Sequence, residues 1–342
     1  MPFMNRLCIL VAMVLLVSTV NSAANSETAT QAPDLLDQAL QHEDIWAPGS
    51  PTVDLRAKLE LALGKEKVAV GDYTKLWVSP SQSREEINFA NFTVTRVYQA
   101  NGFWQKRNID YQPEAIFQLE RMLNLKSILK LSAGESLGKK GDKKEGATPI
   151  TCVEVKRGEQ IDRKLCFDQT QGVLVSVDYP THPHSQPPGF SRIEYSDFIS
   201  LESHAFPGRI KALSGRKTVA AFTVVKLAKI ENLNSALFGD LPGAQFWRTC
   251  GNDLQKGKLL NHVQPEYPPD ARANHVQGTV AFFAVIEVDG SLSQITLIHP
   301  AAPELEKAAF QAISQWRYQP STCAGFPIRV ETMISTDFSL DL

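Results

Sequence analysis

The sequence predicts an α+β protein: a mainly antiparallel β domain followed by a small ββαβ domain at its C-terminal end. Two observations carry this reading. From about residue 51 to 245, short segments alternating at period two recur between Gly, Asn and Pro turns, with no βαβ rhythm. Residues 262–342 then run strand, Asp289-Gly290 turn, strand, short helix, long strand. A polar connector, residues 246–261, separates the two parts.

The N-terminal segment, residues 1–24, has the layout of an export signal. Arg6 precedes a mostly apolar run from Leu7 to Val20, and Ser22-Ala23-Ala24 supplies small residues for a cleavage site. Two fates follow, a cleaved signal or a short retained anchor; the run falls short of the roughly twenty residues that span a bilayer. Cys8 precedes the run, so it is not placed to be a lipoprotein acylation site. Residues 25–50 are polar and small, with a helical stretch near Leu35 to Leu40, and read as a flexible lead.

In the β domain, 52–63 is extended or a short helix, and Lys67 to Tyr73 has strand and turn character. Phe89 to Tyr98 alternates at period two, Asn101-Gly102 marks a tight turn, and Ile116 to Leu123 has helical spacing after Pro113-Glu114. Gly138 to Gly146, rich in Lys and Gly, reads as a solvated loop. Strands follow at 151–155, 164–167, 173–179 and 192–199, and the pattern continues over 201–211 and 218–230.

Removal of the signal leaves Cys152, Cys166, Cys250 and Cys323, an even number that in an exported chain points to disulfides. Three pairings are possible. Cys152 and Cys166 flank a hairpin-like stretch with Gly158 between, which favours Cys152–Cys166 and leaves Cys250–Cys323.

In the C-terminal domain, 279–288 alternates. Val280, Phe282, Ala284, Ile286 and Val288 share one face; Ala281, Phe283, Val285 and Glu287 share the other. One face can bury while the other is mostly apolar as well, so a helix or a partner is expected to cover part of it. Asp289-Gly290 reads as a two-residue hairpin turn with positive φ at both positions. Pro303-Glu304 opens a helix on which Leu305, Ala309, Ile313 and Trp316 form one stripe, with Trp316 as core anchor. The last strand, 328–338, is long and half polar, suited to a sheet edge whose unpaired N–H and C=O groups await a partner strand.

Tyr267-Pro268 with Ala271-Arg272, Gly278, Asp289-Gly290, the alanine-rich helix, Trp316-Arg317-Tyr318 with Pro320, and Gly325 with Pro327 together resemble the C-terminal domain of TonB, the energy transducer of Gram-negative envelopes. The resemblance spans about residues 262–340. It implies capture of an extended segment of an outer-membrane receptor, with Gln264, Pro265, Tyr267, Arg329, Val330, Glu331, Thr332, Met333 and Ile334 as the contact surface. A rigid entry turn is the competing role for Tyr267 and Pro268. The family's membrane-helix histidine has no counterpart in residues 1–24, and the proline-rich rod is missing, which leaves force transduction in doubt. More distantly, Gly102-Phe103-Trp104, Arg192 to Phe198 and Phe206-Pro207 resemble periplasmic lipoprotein-carrier folds, which implies a curved sheet with an apolar inner face for a hydrophobic ligand.

Composition narrows the function classes. The 342 residues are 43% hydrophobic and 21% charged with net charge −2, and no basic stripe favours nucleic acid. Asp178, His182, His184 and His204 lack the spacing of a zinc site, and no nucleophile elbow, phosphate loop or Cys–His signature occurs. The expectation is a non-enzymatic periplasmic binding protein without metal or cofactor. It acts either by strand capture, with a role in TonB-dependent transport, as a carrier of a hydrophobic ligand, or as a membrane-anchored transducer.

Overall fold

A computed structural model describes residues 32–63, 67–180, 190–250 and 253–340. The expected export signal, Cys8, His182 and His184 lie outside them. Among the described residues no helix is long and apolar enough to cross a membrane, and no group of three or more His, Cys, Asp or Glu is arranged to hold a metal.

The first half is built on β1 (Val53–Leu63), β2 (Lys67–Ser79), β3 (Gln82–Phe89), β4 (Thr93–Gln99) and β5 (Gly102–Arg107). Two helices follow, α2 (Glu114–Leu123) and α3 (Leu125–Leu129); α1 (Ala32–Glu43) precedes β1. Then come β6 (Glu135–Glu145), β7 (Thr148–Arg157), β8 (Gln160–Asp168), β9 (Leu174–Asp178) and β10 (Arg192–Ser196). A small hairpin of β11 (Ile199–Leu201) and β12 (His204–Phe206) leads into β13 (Arg209–Ser214), β14 (Lys217–Lys229) and β15 (Gln245–Arg248). Apart from that hairpin, all these strands join one antiparallel sheet of thirteen, in the order β15-β5-β4-β3-β2-β1-β14-β13-β10-β9-β8-β7-β6. Every neighbour but β15–β5 and β1–β14 is reached by a short hairpin or a local connection, which suits an antiparallel meander.

β1 illustrates why the chain is extended here. Val53, Leu55, Ala57, Leu59 and Leu61 are buried, while Arg56, Lys58 and Glu60 are exposed. That two-residue period excludes the helical alternative for 52–63. The inner face of the sheet packs on α1, α2 and α3 through Leu36, Ala39, Ile116, Leu119, Met122, Leu125, Ile128 and Leu129.

Four expectations are corrected in this half. The flexible lead contains α1, docked by buried Leu36 and Ala39. The Lys/Gly-rich loop at 138–146 is mostly β6, the last strand of the sheet, in register with β7. Its composition reads as loop because an edge strand keeps charges and glycine as protection against pairing with other chains. The run 89–98 is two strands, β3 and β4, joined through a turn at Ala90 to Phe92. The connector begins later than expected, since Phe246, Trp247 and Arg248 belong to β15.

Both expected disulfides are present, Cys152–Cys166 and Cys250–Cys323. Cys152 and Cys166 stand directly opposite in the β7–β8 register. Cys323 lies in β21 (Ser321–Cys323), one of the short strands around the C-terminal domain, with β16 (Leu254–Gln255), β17 (Lys258–Asn261), β20 (Arg317–Gln319) and β22 (Phe326–Ile328).

The C-terminal domain proper comprises α4 (Pro269–Ala273), β18 (Gly278–Ile286), β19 (Leu292–His299), α5 (Pro303–Ile313) and β23 (Val330–Phe338), with sheet order β19-β18-β23. Val280, Phe282 and Ala284 face α5 and meet Leu305, Ala309, Ile313 and Trp316. The Trp316 indole N–H donates to the Val263 carbonyl at 2.9 Å. The second apolar face is covered by the large sheet: Phe283 and Val285 pack with Trp247, Phe103 and Tyr111. The β18–β19 turn differs from expectation. Only Gly290 has positive φ, at 81°, after Val288 and Asp289, and the Asp289 carboxylate accepts from both the Ser291 N–H and hydroxyl. A third loop residue relieves Asp289 of the left-handed conformation.

Candidate functional site

β23 bonds to β18 along one edge, from Val330↔Ile286 to Phe338↔Gly278. Along its other edge no strand pairs with it among the described residues. Two hollows flank this strand.

At its C-terminal half lies a groove of about 240 Å³ lined by His262, Gln264, Pro265, Tyr267, Trp316 and residues 335–339. The segment before α4 runs across Phe338. The Tyr267 ring meets Phe338 edge-on at 5.5 Å, the Arg272 guanidinium sits 5.3 Å over the Tyr267 ring, and the Tyr267 hydroxyl donates to the Val276 carbonyl at 2.6 Å. Tyr267 is thus packed against Phe338 and Arg272 and also lines the groove. Gln264 is exposed.

At its N-terminal end lies a larger cavity, about 720 Å³, enclosed by the inner face of the big sheet, α1, α2 and the residues Ile328 to Glu331. The predicted contact surface is thus divided. Gln264, Pro265 and Tyr267 come together with Ser335 to Ser339, whereas Arg329, Val330 and Glu331 belong to the cavity. Thr332 is half-buried, Met333 is 59% exposed, and Ile334 is 5% exposed and part of the core. Arg329 falls just outside β23 and is already engaged. Its guanidinium binds Glu287 through two nitrogens (2.8 and 2.9 Å), reaches Gln245 at 3.3 Å, and lies 5.1 Å from the Trp247 ring. The Glu331 carboxylate is 2.8 Å from Arg107 as an ion pair, while an Arg107 N–H donates to the Asp110 carbonyl.

The floor of the cavity corrects the expectation of an apolar inner face. Leu55, Lys75, Glu85, Arg96, Gln105 and Gln245 stand opposite one another in register across β1, β2, β3, β4, β5 and β15. Directly opposed residues of antiparallel strands share a face, so the pairing builds a polar row across the sheet. Glu85 accepts from Tyr73 (2.7 Å), Arg96 (3.0 Å) and Tyr98 (3.3 Å); Arg96 also donates to Glu120, Gln112 and Gln105. Burial opposes the charge on Glu85, but Lys75 and Arg96 outweigh it and hold its pKa down to about 2. Glu120 is raised, by burial first, with Arg96 opposing. Burial also lifts the Tyr73 and Tyr98 hydroxyls, with Glu85 adding to it. Such networks hold when their members are satisfied, and Glu85 and Glu120 each accept hydrogen bonds at both oxygens. Sequence reasoning missed it because the only local signal was a charge on each of several alternating strands.

In the cavity wall, Glu43 at the end of α1 is 1% exposed. One carboxyl oxygen accepts the Leu174 N–H at 2.6 Å; the other has no hydrogen-bond partner among the described residues. Burial raises its pKa to about 8 against that one bond.

With this geometry in view, comparison with known proteins is direct. Residues 263–340 match the family of the Gram-negative bacterial TonB protein C-terminal. Residues 263–340 are a TonB C-terminal domain. The Protein TonB of Vibrio cholerae serotype O1 is 31% identical over 80 residues, 23% of this chain, and the chain spans about a third (33%) of that relative's length. The solution structure of the Pseudomonas aeruginosa TonB C-terminal domain is 22% identical and covers 27% of this chain and 91% of its own, with a TM-score of 0.23. A crystal structure of a LolA superfamily protein from Nitrosomonas europaea covers 62% of this chain and 99% of its own at 11% identity, with a TM-score of 0.40. The TonB C-terminal domain here carries its sheet against a thirteen-stranded neighbour through Trp247 and Arg107.

Proposed function

We propose that this chain is an exported periplasmic protein that captures an extended segment of an outer-membrane receptor, or of another envelope protein, by strand addition to β23. The observation behind this reading is the bare outer edge of β23, set between the groove at Tyr267 and the cavity at Val330. Unpaired edge groups accept a further strand, main-chain bonds giving affinity and flanking pockets giving selectivity. The match to the TonB C-terminal family supports a partner of this kind and a part in TonB-dependent transport. The role is binding rather than catalysis. Titration of plug peptides from outer-membrane receptors into the full mature chain tests it, with proline placed at Thr332 or at Met333. Neighbouring strand residues point their N–H groups to opposite edges, so one of the two prolines removes an outward donor. Binding lost in one of these variants supports strand addition; no binding at about 1 mM, or insensitivity to both prolines, rejects it.

A second reading, a carrier for a hydrophobic ligand, is favoured by the 720 Å³ cavity and its aromatic walls, Phe117, Phe206 and Phe222. An acyl-bearing molecule released from the purified chain and seen by mass spectrometry supports it. A chain purified from its native envelope with nothing bound counts against it.

A further inference from the structure

The cavity has unused hydrogen-bonding capacity at one cation. Its acids are mostly occupied. Glu85 takes three donors, Glu120 holds Arg96 and Gln112, Asp44 accepts the Trp46 N–H and lies 3.7 Å from Lys126, and Glu331 pairs with Arg107. Arg96 donates four hydrogen bonds, to Gln105, Glu85, Glu120 and Gln112.

Lys75 is different. Its ammonium lies 4.6 Å over the Trp46 ring and 4.0 Å from Glu85, beyond hydrogen-bond reach, and its side chain is 18% exposed. An ammonium carries three donors and no acceptor. Elsewhere in the wall, the second oxygen of the buried Glu43 has no partner among the described residues. Glu331 Oε1, an acceptor in this wall without a hydrogen bond, faces Arg107 as an ion pair, so the open positions away from that pair and from Glu43 are the Lys75 donors, flanked by Trp46, Phe117, Leu123, Phe206 and Phe222. They call for an anionic oxygen ligand on an apolar stem.

The cavity also continues the edge of β23. Val330, the first residue of that strand, and Glu331 line it. Val330 and Lys75 line the same cavity, so a segment paired along β23 past Val330 enters the space that holds Lys75. We infer that the cavity is a carboxylate subsite of the strand-capture site: the bound segment lays an acidic side chain, or its own chain end, against Lys75 while its main chain pairs with β23. This inference rests on the strand-addition reading and adds the chemical class of partner, an extended segment carrying a carboxylate next to an apolar residue.

The probes are three synthetic peptides of alternating Val and Thr: one with a Glu near one end and both termini blocked, its Gln counterpart, and the Gln peptide with a free carboxyl end. Affinities are measured by fluorescence anisotropy with the full mature chain, wild type, Lys75→Met and Lys75→Arg. The expected result is about tenfold tighter binding of a carboxylate peptide over the blocked Gln peptide, as a charge-assisted hydrogen bond gives. The preference disappears in Lys75→Met and survives in Lys75→Arg. Which peptide shows it separates a side-chain carboxylate from a chain end. Equal affinity of the three for the wild type, or a preference that persists in Lys75→Met, overturns the subsite. If no peptide binds at all, strand capture itself fails. The subsite is then read with N-acetylphenylalanine against its amide, where a Lys75-dependent preference for the anion sustains it and indifference refutes it.

Discussion

Arg107 and Glu331 lie 2.8 Å apart, the one at the end of β5 in the large sheet, the other in the last strand of the TonB C-terminal domain. Both are largely buried, with side chains 7% and 20% exposed. The Arg107 guanidinium also lies 5.8 Å from the Phe283 ring. An ion pair in such surroundings is worth little against an apolar substitute, but losing one member strands the other. Glu331→Gln and Arg107→Met should each lower stability, by roughly 1–3 kcal/mol, while the double variant loses less than their sum. A double-mutant cycle in urea measures this. Additive single effects would show that the two groups do not act as a pair.

Glu43 gives the chain a built-in pH dependence. Its carboxyl is raised from 4.5 to about 8, by burial, with the Leu174 N–H opposing. The folded state therefore keeps a proton that the unfolded state gives up. Below the unfolded value the group costs nothing; as pH rises from about 4.5 to about 8, stability falls, and it is lowest above the folded value. Glu43→Gln should flatten that slope, and the variant should be more stable than wild type above pH 8. Thermal melts across pH 4 to 9 decide it. Parallel curves for the two proteins would place the ionisation elsewhere.

What could be read from the sequence depended on the range of the interaction. The helix at Pro303, the strand from 279 with two apolar faces and the Cys152–Cys166 hairpin rest on neighbours a few residues apart, and the structure has them. α5 ends at Ile313, so that Trp316 joins its core from the turn beyond, and β18 ends at Ile286, so that Val288 is exposed in the turn. β6 was hidden because Lys139, Lys140, Lys143 and Lys144 obey the chemistry of a protected edge rather than strand propensity. The row Lys75–Glu85–Arg96–Gln105–Gln245 was hidden for another reason. It exists only once the register of five strands is set, and Gln245 is brought beside Gln105 from 140 positions along the chain. The division of the contact surface at β23 likewise depends on where Trp247 and Arg107 dock, which no local pattern encodes.

Gly290 offers a sharper test of the C-terminal domain. Its φ is +81°, and a β-carbon there would overlap the Tyr318 carbonyl oxygen. The same two residues are bound through the Tyr318 N–H, which donates to the Gly290 carbonyl at 2.9 Å. The turn thus holds the short strand that follows Trp316 against the hairpin. Gly290→Ala should cost roughly 2 kcal/mol or more, since the new side chain meets both a disfavoured backbone conformation and a backbone clash. Alanine at the exposed Gly325, where φ is +85° but open space surrounds the position, carries the conformational cost without the clash and should be milder. Equal melting temperatures for the two variants would remove the packing argument.

Trp247 is the residue on which the two folded parts depend most. It is 7% exposed, sits in β15 opposite Phe103, and covers Phe283 and Val285, which are buried at 2% and 0%. Its other side carries Arg329, which in turn holds Glu287 and Gln245. Truncating it leaves a void where an aromatic ring met two faces at once, a loss of about 3–5 kcal/mol in a closed core. The domains have separate cores, one between the large sheet and its helices and one beneath α5, so each retains its own packing when the seam opens. Trp247→Ala should therefore melt in two steps where the wild type melts in one. Proteolysis should cut between Arg248 and Tyr267 while leaving both cores folded, and for cuts beyond Cys250 the two pieces stay joined by Cys250–Cys323 until the digest is reduced for analysis. Calorimetry and limited digestion under non-reducing conditions read both effects. A single transition with no new cleavage in that segment would mean that the seam is held by the polar contacts of Arg107 and Arg329 rather than by the ring.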